Sequence, residues 1–221
     1  MKDLTEILVE HVRQVCASRA SFSDEEEFHA AMSQQLGHCS NKVRVAFAPA
    51  RLPAKRPFPP DIQECSRKGK MLAPEGKDPC GGRRVALDIH WKTDGESVPI
   101  ELKYRPHWNS DVYGYAFLKD LHRLERLPDM EWAPHRYAVF LTPVDDYWSS
   151  SATREPKPFR LTHGHRTPAR YWVQYDQPSA ATRWFDYPPF FLWHPYEFTW
   201  HDIRNAGRCL VVRVRSQSND A

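Results

Sequence analysis

Apolar residues near the N-terminus recur at helical spacing: Leu4, Ile7, Leu8, Val12 and Val15 fall on one face. Asp3 stands where an N-cap belongs, with Glu6 three residues later. A second helix is predicted from Ser23, where Ser-x-x-Glu (Ser23, Glu26) reads as a capping box and Phe28, Met32 and Leu36 make the buried stripe. Residues 42–48 alternate, with Val43, Val45 and Phe47 on one side, and predict a strand. Residues 84–92 and 97–104 alternate in the same way. The intervening Thr93-Asp94-Gly95-Glu96 carries an Asp-Gly turn signal, so the pair reads as a hairpin. A helix over 111–127 puts Phe117, Leu118, Leu121 and Leu124 together, and 136–142 is nearly continuous apolar, as in a strand covered on both faces. Short strands over 171–175 and 209–214 flank an aromatic-rich segment. Helix, strand, hairpin, helix, strand and further strands predict a mixed α/β domain.

Length and composition narrow the class. At 221 residues the chain is about one and a half times a typical domain. A single domain over 1–221 is expected, with an N-terminal helix in 1–22, a long loop over 49–83 and a C-terminal elaboration over 153–221. Hydrophobic residues at 41% and aromatics at 13% can build a core, which excludes a wholly disordered chain. No apolar run approaches the roughly 18 residues of a spanning helix, and the N-terminus has no signal-peptide core. The five cysteines are widely spaced, as in a reduced compartment. A cytoplasmic location without a membrane partner is therefore expected.

The net charge of +3 names no partner, but the charge is segregated. Residues 51–84 hold nine Lys/Arg against four Asp/Glu, whereas residues 1–30 hold three against seven. The stretch 49–82 contains seven prolines and no periodicity, which marks a functional loop. Residues 153–170 form a second basic stretch, with five Lys/Arg against Glu155.

The hairpin carries the chemistry. Alternation puts Val85, Leu87, Ile89 and Trp91 on one face, leaving Asp88 and His90 on the other. In the second strand Val98, Ile100, Leu102 and Tyr104 oppose Glu101 and Lys103. Pairing the two strands brings Asp88, Glu101 and Lys103 onto one patch, either as a cross-strand ion pair or as a site. Two carboxylates on a sheet are costly to bury without use, and a hard cation such as Mg²⁺ takes carboxylate oxygens and waters. Mn²⁺ can substitute. Carboxylates sharing such a cation must lie within about 6 Å of each other. Lysine can orient or deprotonate an attacking water, which points to phosphodiester hydrolysis.

Leu-Asp-Ile-His, with twelve residues between Asp88 and Glu101, followed by Glu-Leu-Lys resembles the D…E-x-K signature of the PD-(D/E)XK nuclease superfamily. The resemblance implies a restriction-endonuclease-like fold: a central mixed sheet flanked by helices, in the core order helix, three strands, helix, strand. Leu87 stands where that family often has proline. By this resemblance Asp88, Glu101 and the backbone carbonyl of Leu102 hold the metal, and Lys103 manages the water. The family also places a glutamate on its first core helix, for which Glu25, Glu26 and Glu27 are candidates. Glu25, three residues before Phe28, points with the buried stripe and is the choice to support the metal's ligands or a second metal, although three acids also favour a helix N-terminus through the macrodipole. The helix from Asp111 resembles that of a bacterial subgroup, keeping Asp120, Arg123 and Glu125 but carrying Gly114 and Ala116 where an Arg and an Asp are usual. An ion network between helix and sheet is expected of the three that remain.

The function implied is a Mg²⁺-dependent DNA endonuclease in restriction or mobile-element defence. The rival is a nucleic-acid-binding or scaffold protein that keeps the fold without turnover. The partner expected is DNA, contacted by Arg83, Arg84, Arg160 and Arg166 of the basic loops bordering the cleft. A homodimer would supply the two-fold-related sites needed to cut both strands of a palindrome, although no residue pattern demands one. His163-Gly-His165 lacks a further ligand at metal spacing, and the aromatics over 184–200 suit a packed core better than base stacking.

Overall fold

The computed structural model describes residues 3–19, 21–37, 43–46, 84–93, 96–106, 110–127, 135–149, 159–175, 187 and 189–216. Most of the first basic loop, Arg83 included, lies outside them, as do residues 153–158 of the second.

Two helices open the chain. Helix α1 (Leu4–Ala17) is capped by Asp3, whose side chain accepts from Thr5 N–H, and it buries Leu8, Val9, Val12 and Val15. Helix α2 (Glu25–Gln35) starts one residue later than its expected box. Asp24 is the N-cap and accepts from Glu27 N–H, while Glu27 accepts from both the amide and the hydroxyl of Ser23. In place of the expected Ser23–Glu26 box, Asp24 caps the Glu27 amide while the Glu27 carboxylate reaches back past the cap to Ser23.

The central sheet has the order β3-β4-β5-β9-β8. Its strands are β3 (Ile89–Thr93), β4 (Glu96–Tyr104), β5 (Arg136–Thr142), β8 (Trp200–Ile203) and β9 (Gly207–Val214). Only β4 and β5 run parallel. Helix α3 (Ser110–Glu125) makes that crossover, as parallel neighbours require. Strands β1 (Val43–Ala46) and β2 (Arg84–Leu87) pair separately, as do β6 (Tyr171–Val173) and β7 (Phe190–Leu192). Strands β7 and β8 fall in the aromatic-rich segment, where dense rings hide any alternation. Gly207 (φ +96) ends the β8–β9 turn against Thr142 and Pro143, where a Cβ would come within 2.3 Å of the Thr142 carbonyl oxygen.

Every residue of β5 is buried, as its apolar run predicts. Its alternation feeds two cores. Tyr137, Val139 and Leu141 join α1 and α2, while Ala138 and Phe140 join α3 and the aromatics Tyr187, Phe190, Tyr196, Phe198 and Trp200. Those five aromatics are therefore part of the packed core. Buried Arg136 closes the α3 C-terminus by donating to the Leu124 and Leu127 carbonyls at 3.1 and 2.9 Å. Glu125, fully buried, accepts from the amides of Trp193 and His194 and from the Tyr196 hydroxyl. Gly114 lets Phe159 lie against α3, since a Cβ there would stand 3.0 Å from the Phe159 Cβ.

The predicted apolar row of the first hairpin strand is corrected. A bend at Asp88 separates β2 from β3, and Leu87 packs in the α3-side core while Ile89 and Trp91 pack against α1 and α2. A strand with unbroken alternation keeps one face; one irregular residue reverses it. No helix among the described residues is long and apolar enough to cross a membrane.

Candidate active site

The bend also ends a ladder. Strand β3 pairs with β4 from Thr93–Glu96 to Ile89–Ile100, and there the pairing stops. Beyond it β4 keeps β5 on one side, from Glu101–Ala138 to Tyr104–Leu141. Its other edge meets carboxylates. Asp88 Oδ2 accepts from Leu102 N–H at 3.0 Å, and Glu25 Oε2 accepts from Tyr104 N–H at 3.4 Å. Amide and carbonyl of one strand residue point to the same edge, so the Leu102 carbonyl faces the gap beside Asp88. The bend is held from behind by His29 of α2, whose Nε2 donates to the Asp88 carbonyl oxygen.

Glu101 projects from β4 toward α3 and is only 4% exposed. Its carboxyl lies within hydrogen-bonding reach of Asp88, and its Oε1 has no hydrogen-bond partner among the described residues. Burial pushes its pKa well above the usual carboxyl range, and the charges of Asp88 and Asp120 push the same way against Arg123. Burial and the neighbouring carboxylates therefore favour the protonated form of Glu101. An orphaned buried oxygen costs about 1–3 kcal/mol, a cost a ligand would remove.

Lys103 projects to the same side. Its ammonium stands 3.2 Å from Asp120 Oδ2 and 3.5 Å from Glu25 Oε1. Burial works to neutralise it, but Asp120, Glu25 and Asp88 outweigh burial and raise its pKa. Lys103 is thus held charged. Asp120 is itself bracketed by Arg123 at 3.3 Å, so α3 is tied to β4 by a Lys–Asp–Arg chain. Arg105, one alternation further along β4, lies 3.6 Å from Glu25 Oε2 and stacks 3.7 Å above the Tyr113 ring.

No family model, curated protein or solved structure matches the chain.

Asp88, Glu101, Lys103 and the Leu102 backbone are brought together as the spacing implies. Glu25 joins them through Lys103, Arg105 and the Tyr104 amide, while Asp88 and Asp120 are the carboxylates acting most strongly on Glu101. Among the described residues no three of His, Cys, Asp and Glu form a ready cation cage. Arg160 and Arg166 are exposed; Arg160 acts electrostatically on His165 and Tyr171, and the Arg166 backbone pairs with that of Glu197. Arg84 lies on β2 and its side chain is outside the described structure. His163 Nδ1 accepts from Trp200 N–H, a structural use.

Three residues escaped the sequence reading as parts of this site. Asp120 had been read only as part of a network, His29 not at all. Arg105 had a signal available, since Glu101, Lys103 and Arg105 share one alternation.

Proposed function

We propose that the chain is a Mg²⁺-dependent endonuclease of the PD-(D/E)XK type, hydrolysing phosphodiester bonds in DNA in restriction or mobile-element defence. The observation that carries this is the buried, unpartnered Glu101 Oε1 beside Asp88, with a charged lysine two residues on. A strand of solvated surface ion pairs would not bury a carboxylate this way. Further support comes from the order of strands: the bent strand carrying Asp88 lies between β1 and β4, and β4 leads through a helix to parallel β5.

The donor set fits Mg²⁺. This ion commonly takes one or two carboxylates and keeps its waters, so a complete protein cage is not required. Asp88, Glu101 and the Leu102 carbonyl would hold it, and it would supply positive charge to a phosphorus centre gaining negative charge. A cation bound there would favour the ionised form of Glu101. Lys103, kept charged by Asp120 and Glu25, orients the attacking water and offsets charge developing on the phosphate; it does not act as the base.

The test is plasmid cleavage with Mg²⁺, beside a chelator arm and Lys103→Ala, repeated with single-stranded DNA and RNA. Nicking or linearisation by the native chain alone is expected. If native and Lys103→Ala proteins behave alike, the nuclease reading fails and a binding protein of the same fold remains.

A further inference from the structure

Three donors on consecutive residues, the last two of β4 and Arg105 just past it, surround the Glu25 carboxylate: Lys103 Nζ at 3.5 Å, Tyr104 N–H at 3.4 Å and Arg105 Nη2 at 3.6 Å. Charge-assisted hydrogen bonds are typically about 2.7–2.9 Å, so none of the three is fully made. Glu25 sits loosely in a nest of two cations and one amide.

The donors are fixed without it. Lys103 is held by Asp120. Arg105 donates its amide to Leu141 O at 3.1 Å, and its carbonyl accepts from Thr142 Oγ1 at 2.7 Å. Tyr113 supplies a shelf for its guanidinium, whose Nε is buried without a partner among the described residues. Its forked donors match a phosphate better than a single carboxylate oxygen. Glu25, by contrast, belongs to the first turn of α2, and its side chain is one-third exposed. A nest built by β4 and only loosely filled by a side chain from elsewhere has the character of a receptor with a stand-in.

We propose that Lys103, the Tyr104 amide and Arg105 form a subsite for a backbone phosphate of nucleic acid, which Glu25 fills when no nucleic acid is bound. The inference rests on the nuclease reading above and makes Glu25 an exchangeable anion, not a support for the metal. A tetrahedral phosphate presents several oxygens at once, so all three donors can close to full hydrogen bonds when it replaces Glu25.

The test is binding of a fluorescein-labelled DNA duplex in chelator, where nothing is cut, followed by anisotropy across a salt series. Glu25→Gln removes the competing charge and should bind severalfold tighter than the native chain. Arg105→Ala should bind more weakly, with its log–log salt slope reduced by about one, and Arg105→Lys should keep the slope. Glu25→Gln leaves the guanidinium stack intact, so it tests the idea even if Arg105→Ala does not fold. Unchanged or weaker binding by Glu25→Gln overturns the proposal, as does an unchanged slope in folded Arg105→Ala. Cleavage by the native chain with either of these results sinks the subsite and leaves the nuclease reading standing. The expected binding changes without cleavage sink the nuclease reading and keep the subsite.

Discussion

The two halves of β4 are built differently. From Glu96 to Ile100 the strand lies against β3, and Val98 and Ile100 are fully buried beneath α1 and α2. From Glu101 to Tyr104 the place of β3 is taken by the carboxylates of Asp88 and Glu25, which satisfy amides a neighbouring strand would otherwise serve. The first half gains its stability from apolar burial and a regular ladder. In the second half, main-chain amides hold acids in place. Asp88, held at 3.0 Å by the Leu102 amide, has few ways to move, whereas Glu25, 3.4 Å from the Tyr104 amide, is held loosely.

Substitutions can separate the halves. Ile100→Ala, in the paired half, should cost about 2–5 kcal/mol by leaving a cavity, read as a lower midpoint in urea. Cleavage per folded molecule should stay near native; a large loss of rate in folded protein would mean that the halves are not separable. Glu101→Gln should do the reverse. The amide resembles the protonated acid, so the midpoint should hold, while cleavage falls about a hundredfold or more, some 2.7 kcal/mol in the barrier. Calorimetry should also record weakened Mg²⁺ binding. Native-like cleavage by Glu101→Gln would remove the open half from the chemistry.

Two smaller effects sharpen the contrast. Because the Glu101 pKa is raised on folding, its contribution to stability is complete below the ordinary carboxyl range and is lost as pH climbs through the raised value. The melting temperature of metal-free native protein, compared with Glu101→Gln, should therefore fall as pH rises over that interval, and Mg²⁺ should restore most of the loss at the upper end. A difference between the two proteins that does not depend on pH would contradict the raised Glu101 pKa. Least of all, Asp24→Ala should cost about 1 kcal/mol through the lost α2 cap and leave cleavage nearly native in the folded fraction. A larger drop in cleavage would show that the cap aims Glu25 and does more than start a helix.

The α1 stripe, the ladder of the hairpin, β5 and the D…E-x-K spacing were all legible in the chain, because each depends on a local period or on residues a short distance apart. Val98, Ile100 and Leu102 could be assigned to one core from alternation alone, and they lie there. The same rule failed one strand earlier, where it put Leu87 with Ile89. Alternation cannot register a bend, and the bend at Asp88 arises because β2 pairs with β1 while β3 pairs with β4. That competition between distant partners decided which β4 amides were left for acids to fill. It also brought Glu25 and His29 of α2 and Asp120 of α3 to the same strand from separate parts of the chain. Periodicity sets which side of its own element a residue occupies, whereas the partner it meets there depends on long-range register and helix packing. The sequence by itself therefore determined which residues are proposed to carry the chemistry, Asp88, Glu101 and Lys103. Only the tertiary structure decided that Lys103 is held charged between Asp120 and Glu25, and that Arg105 stands beside it.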